Sequence, residues 1–328
     1  MRKRNFFVIA GACLASLSLA VGSAMADPTG TPTFRALAGT GSDTTQGVMN
    51  GLSEVIKDSG GIKIIGSYDA ATAPGQTIST KSTAACTNIT RPSGSGAGIT
   101  ALINSQTAGD GCLQFARSSA NDAASRPGAN LTYIPFAVDA VGYATRIGTS
   151  VPKSLTVAQL TSVYNCGIAS IQPMLPQFGS GTRKFFLQQL GFTDAADFTS
   201  QAGHTCIKQT DVNGNPLLEN TGNLLTAANQ IEPYAISSFI AQQSREAPDV
   251  HGSTVLGEID GKLPLLLNTA STMARDVYNV VPTNQLTVDP TKSVFVGPTS
   301  QVCANGTTIT RFGFGVNANC GSTTIQTP

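Results

Sequence analysis

The sequence predicts an α/β fold, and three observations predict it. A unit of strand, Gly/Ser turn and helix recurs through the first half of the chain, a long β-branched and aromatic run occupies the middle, and the loops are polar but uncharged. Charged residues make up only 12% of the chain, against 34 glycines and many Ser, Thr and Asn, as in secreted globular proteins. The length allows one large domain or two of ordinary size.

The elements follow in order. "TFRALAG" reads as a strand, and the turn in "GTGSDTTQGVMNGLSEVIKDSGG" feeds a helix with Val48, Leu52, Val55 and Ile56 on one face, stopped by Gly60 and Gly61. "IKIIGSYDA" alternates as a second strand. "RPSGSGAGITALINSQ" sets another turn ahead of a helix carrying Ile99, Leu102 and Ile103, and "CLQFARSSANDA" is a strand entering a polar loop. "NLTYIPFAVDAVGYATRIG" is the long β run, followed by a helix around "TVAQLTSVY". In "LPQFGSGTRKFFLQQLGF" a fourth turn precedes Phe186, Leu187 and Leu190 at helical spacing. "GNLLTAANQI" has helical character, "EPYAISSFIAQQS" follows it, and the tail from Val294 to Pro328 lacks helical periodicity. No internal repeat or long low-complexity linker interrupts the chain.

In open α/β sheets, ligands lie beyond the carboxyl ends of strands, where loops feed helices. The unpaired N–H groups of a helix start, with the helix dipole, favour an anion there. Glycines let that anion approach the backbone. Ser180 and Thr182 offer hydroxyls, and Arg183 offers a planar fork for two oxyanion oxygens. The plain alternative is that Ser180 or Thr182 caps the helix and Arg183 is solvated.

At the N-terminus, Arg2, Lys3 and Arg4 precede an apolar stretch to about Val21, and "SAMADP" offers a small-x-small site, so residues 1–26 are expected to be a cleaved secretory signal. Acylation of Cys13 is the competing reading. Removing the leader lowers Lys+Arg from 20 to 17 against 19 acids, a net charge of −2, which does not predict a nucleic-acid partner. No later stretch approaches the roughly 18 apolar residues of a membrane span. Six cysteines then remain, which allow fifteen pairings. Nearest-neighbour pairs, Cys86–Cys112, Cys166–Cys206 and Cys303–Cys320, are favoured because each closes a modest loop. A zinc site is disfavoured, since no C-x-x-C occurs and His204 and His251 are far apart.

The order of "GTGSDTTQGVMNGL", "RPSGSGAGI", "FARSS", "YIPFAVDAVGYAT", "LTVAQLTSVYNC" and "PQFGSGTRKFFL" resembles the phosphate-binding proteins of ABC transporters, in a secreted actinobacterial-type form. The likeness covers roughly residues 35–245. It implies a two-lobed, type 2 periplasmic-binding-protein fold, each lobe a mixed sheet flanked by helices and joined by hinge strands. Lobe I would comprise residues 33–138 plus 240–328, and lobe II residues 139–239.

Carried over position by position, the resemblance implies that Ser42, Thr44, Ser95, Gly96, Ser118, Ser180, Gly181 and Thr182 hold the oxyanion, with Arg183 matching a basic residue found in part of the family. Other members place an arginine and an aspartate before the last turn, where this chain has Pro176 and Phe178, and an aspartate in the segment matching "FARSS". A carboxylate that accepts the proton of monohydrogen phosphate would discriminate against sulfate. Asp43 and Asp139 both remain candidates for it. Arg117 and Arg91 are candidate cationic contacts, each equally readable as a solvated or paired arginine, and Glu219 reads as structural.

The implied function is capture of inorganic phosphate or a related oxyanion outside the cell, for delivery to an ABC permease, by a monomer without metal or organic cofactor. A secreted surface or adhesion module on the same fold is the alternative. A secreted phosphatase or esterase is disfavoured by the lack of a G-x-S-x-G elbow and of an acid-histidine cluster.

Overall fold

The computed structural model describes residues 27–214, 216–264, 271 and 273–328. The expected leader, with Cys13, lies outside them. Up to the middle of the chain, the described elements are β1 (Leu37–Gly41), α1 (Gln46–Val55), β2 (Ile65–Ser67), the short pair β3 (Thr77–Ile78) and β4 (Ile89–Thr90), α2 (Gly94–Ala108), β5 (Phe115–Ser118) and the long β6 (Leu131–Arg146). There follow β7 (Ser154–Leu155), α3 (Val157–Tyr164), β8 (Gln172–Pro173), α4 (Gly181–Gln189), β9 (Gln230–Ala235) and α5 (Ile236–Gln243). The remainder holds β10 (Thr254–Leu256), β11 (Glu258–Ile259), β12 (Ala274–Pro282), α6 (Thr291–Phe295), α7 (Gln301–Ala304), α8 (Gly306–Arg311), β13 (Gly315–Val316) and β14 (Ile325–Gln326).

One mixed sheet in the order β2-β1-β5-β12-β6-β9-β8 runs through the molecule. β1 pairs in parallel with β2 and β5, whereas β12 runs antiparallel to both β5 and β6. β6 is buried along nearly all of its 16 residues, which explains why its apolar residues do not alternate with polar ones: a strand covered on both faces has no reason to alternate. Its first part pairs with β12, and from Val141 onward it pairs with β9 and β10. The strand therefore passes from one hydrophobic core into another.

The first core gathers Met49 and Leu52 of α1, Phe115, Phe136 and the C-terminal residues Phe295, Ile309 and Phe312. Fully burying each such side chain contributes about 1.5–3 kcal/mol. The second gathers Val141 and Tyr143 of β6 with Leu160, Tyr164, Phe186, Leu187 and Ile231. α3 starts on a capping box, in which Thr156 Oγ1 accepts from the Gln159 amide at 3.1 Å while the Gln159 side chain accepts from the Thr156 amide at 2.8 Å. Helix α2 presses on β1 through Gly98, where a Cβ would meet Thr40 O at 3.0 Å and the Gly41 backbone. That approach brings the α2 turn beside the β1 turn.

All three nearest-neighbour disulfides form: Cys86–Cys112, Cys166–Cys206 and Cys303–Cys320. They fit an oxidising compartment. Among the described residues no helix is long and apolar enough to cross a membrane.

Two segments differ from expectation. "GNLLTAANQI" holds only a 3₁₀ turn, Gly222–Leu224, because Gln230 Oε1 accepts the amides of Thr226 and Ala227, both at 2.8 Å, and holds the chain in a loop. The tail contains α6, α7 and α8, each too short to show a helical period, with Val294, Val302 and Ile309 packed in the first core. Within residues 240–328, β10 pairs with β6 and β11 with β7, so that Ile259 and Met273 join the second core while Ala241 lies in the first.

Candidate oxyanion site

Four turns converge where β6 leaves the first core. Ser180 is the N-cap of α4, and its Oγ accepts from the Arg183 amide at 3.1 Å. The next residue, Gly181, lies so close to the α2 turn and the end of β5 that a Cβ would meet Ser95 Oγ at 2.6 Å and also strike Ser119 Oγ. Only glycine admits that approach. Ser95 Oγ in turn accepts from the Ser119 amide at 3.1 Å, so a wall of small residues joins the two halves.

Thr44, in the turn after β1, reaches across to the second half. Its Oγ1 lies 3.1 Å from Thr182 Oγ1 and donates to Glu219 Oε1 at 3.0 Å. Ser180 Oγ donates to the other oxygen, Oε2, at 3.1 Å. Thr182 Oγ1 accepts from Arg275 Nη2 at 2.6 Å. Arg275 and Asp139 are direct cross-strand partners on β12 and β6. Asp139 Oδ2 accepts from Arg275 Nε (3.2 Å) and Nη2 (2.8 Å), while its Oδ1 accepts from the Ser237 amide at 3.1 Å. The Arg275 guanidinium also lies over the Phe185 ring, 5.5 Å from its centroid, and its Nη1 is buried without a hydrogen-bond partner.

The carboxyl groups here are electrostatically strained. Asp43, 8% exposed, faces Glu219; burial first, and the Glu219 charge second, hold its proton affinity well above the usual carboxylate range. Glu232 of β9 is wholly buried, and neither side-chain oxygen has a hydrogen-bond partner among the described residues. Burial, then Glu219, pushes it up too. An acid raised in the folded state lends stability that is complete below its ordinary value, 4.5 for Glu232, and is lost as pH rises through the folded value. Glu232→Gln is therefore expected to melt higher than wild type at pH 8 and to match it near pH 4, as thermal scans across pH will show. An offset that does not change with pH would contradict this assignment.

The residues singled out in the sequence divide accordingly. Thr44, Ser180 and Thr182 meet at one point with Asp43 beside them, and Ser95 and Gly181 form the adjoining wall. Asp139 stands one step back as the counter-ion of Arg275. Ser42 is buried with its hydroxyl unpartnered and its amide bonded to Arg117 O at 3.1 Å. The Gly96 amide is given to Gly179 O at 3.3 Å, and Ser118 Oγ turns to Ala120 O at 2.7 Å.

None of the three expected arginines reaches the cluster. Arg117 donates to Ser42 O (3.1 Å), Ser67 Oγ (2.9 Å) and Tyr68 O (2.7 Å), and burial lowers its pKa to about 10. Arg183 points away to Asp194 Oδ1 (2.8 Å) and Ala195 O (2.9 Å). Arg91 pairs with Asp27 at 2.6 Å. The cation that does arrive, Arg275, was not singled out, and neither was Ser119. The only hint of Arg275 was a charge inside the β-branched run "ARDVYNVV".

An open cleft of about 670 Å³ is lined by Asp43, Thr44, Asn50, Asn220, Gln242 and Phe312, so it shares Thr44 with the hydroxyl cluster.

No family model matches the chain, and no curated protein matches it. Solved structures do. A Clostridium perfringens protein with bound phosphate, assigned as a phosphate ABC transporter substrate-binding protein, is 19% identical with a TM-score of 0.57, over 86% of this chain and 99% of that one. An ABC-type phosphate transport receptor from Vibrio cholerae is 14% identical with a TM-score of 0.54, over 86% and 100%. A phosphate-binding protein from Stenotrophomonas maltophilia is 13% identical with a TM-score of 0.50, over 87% and 91%. At these identities the likeness is one of fold, and the fold this chain shares with them is the mixed α/β architecture of type 2 periplasmic binding proteins.

Proposed function

We propose that this protein is an exported binding protein, cleaved near Ala26, that holds inorganic phosphate or a related oxyanion between two lobes and presents it to an ABC permease without chemical turnover. The observation that carries the reading is the meeting of Thr44 from the first half with Ser180 and Thr182 from the second, under the charge of Arg275. Hydroxyls and helix-start amides arranged in a dry site suit a small oxyanion. Two fold neighbours are named as phosphate transport proteins and a third as a phosphate-binding protein, and closure of two halves around a ligand supplies a state that a permease can read.

A hydrolytic reading finds no support in the histidines. The His204 ring stacks on Phe198 and its Nδ1 bonds to Tyr164 O at 2.8 Å, and His251 pairs with Asp249 and Gln243.

Isothermal titration of ligand-stripped protein tests the proposal. One saturable phosphate site that sulfate does not displace is expected, with a higher melting temperature in phosphate. No heat with either anion, together with an unchanged melting temperature, would overturn it.

A further inference from the structure

Glu219 takes the hydroxyl donors that an oxyanion needs. The proton order around it is determined, because each hydroxyl has one proton to give. Thr182 Oγ1 accepts from Arg275 Nη2 at 2.6 Å, so its own proton goes to Thr44 Oγ1 at 3.1 Å, and the Thr44 proton goes to Glu219 at 3.0 Å. Ser180 Oγ already accepts from the Arg183 amide and gives its proton to the second Glu219 oxygen. A chain of donors thus begins at a guanidinium and ends on a carboxylate of the same molecule.

We propose that Glu219 is a built-in occupant of the anion site, and that inorganic phosphate binds only by displacing the Glu219 carboxylate from Thr44 and Ser180. The inference rests on the phosphate reading above. Displacement follows from charge. The groups facing Glu219 are Asp43 from the turn after β1, Glu232 from β9 and, through the two threonine hydroxyls, Arg275, whose charge Asp139 already balances. A phosphate added beside the Glu219 carboxylate would meet like charge in a buried site, with the hydroxyl protons of Thr44 and Ser180 already given to Glu219. The Glu219 segment also has somewhere to go. Pro216, Leu218, Asn220 and Thr221 line the open cleft, and among the described residues the backbone of Glu219 is tied by a single bond, from the Ala235 amide to its carbonyl at 3.0 Å. The affinity of the site is then reduced by the fraction of molecules in which the carboxylate is seated.

Titration of phosphate into ligand-stripped wild type, Glu219→Gln and Glu219→Ala tests this. The alanine variant is expected to bind at least about tenfold more tightly, with the glutamine variant between it and wild type, since a neutral amide still fills the space but no longer repels the ligand. Binding by Glu219→Ala where wild type gives no heat supports the proposal in its strongest form. Equal or weaker binding by both variants, with wild type saturable, overturns it and leaves the phosphate reading standing. Absence of binding in all three overturns the phosphate reading and this proposal with it. If the alanine variant does not fold, the isosteric glutamine variant decides alone, by tighter binding or its absence.

Discussion

Arg275→Ala is expected to lower the unfolding free energy by about 3–5 kcal/mol, the usual cost of removing one partner of a buried ion pair. Arg275 is 6% exposed, and its removal leaves the wholly buried Asp139 with the Ser237 amide as its remaining partner among the described residues. It also takes away the only cation among the described residues that bonds to the hydroxyl chain, so phosphate should no longer raise the melting temperature of the folded fraction. Urea unfolding and thermal scans with and without phosphate measure the two effects. Arg275→Ala combined with Asp139→Ala should recover part of the stability, because the stranded charge is gone, but none of the binding. Equal stability of the single and double variants would show that the pair is not the source of the loss.

Arg183→Ala should be as costly to the fold, about 3–5 kcal/mol, and neutral for the ligand. This guanidinium is also wholly buried, but its donors go to Asp194, Gln209 and the carbonyls of Pro176 and Ala195. It fastens the start of α4 to the loop beyond it. Lysine cannot replace a planar fork that serves four acceptors at once, so Arg183→Lys should fall only partly short of the alanine loss. The phosphate-induced rise in melting temperature should match wild type in both variants. A variant of undiminished stability that had lost this rise would instead put Arg183 on the ligand.

The two arginines show which part of the site is legible in a sequence. Turns feeding helices are local, so the Gly/Ser clusters around Thr44, Ser95 and Ser180 can be read directly, and their convergence follows from strand–turn–helix topology. Whether an arginine beside such a turn points into the site or back at carbonyls depends on strands distant in sequence. Arg117 sits on β5 and Arg183 on α4, both next to candidate turns, yet each is spent on backbone oxygens. Arg275 is in no turn at all. It reaches Thr182 because β12 lies against β6 in one register, which pairs it with Asp139.

Glu219 reads as structural in the sequence for a related reason. Beside Leu217 and Leu218 nothing local ties a loop acid to the turns, and only the fold shows it buried between Thr44 and Ser180. The long run of β6 was readable because burial on both faces leaves its mark on every residue. The helices of the tail were not, because four to six residues cannot display a 3.6-residue period.

The position of β12 also governs how the molecule is assembled. It sits between β5 and β6 although Val280 pairs with Ala116 and Tyr133, residues made much earlier. Until the last fifty or so residues emerge, two strands of the first half present unpaired edges, the kind of surface that recruits other chains. Such non-local pairing is slow to form. The sheet of the first half is thus closed by a strand that the C-terminal part of the chain supplies last.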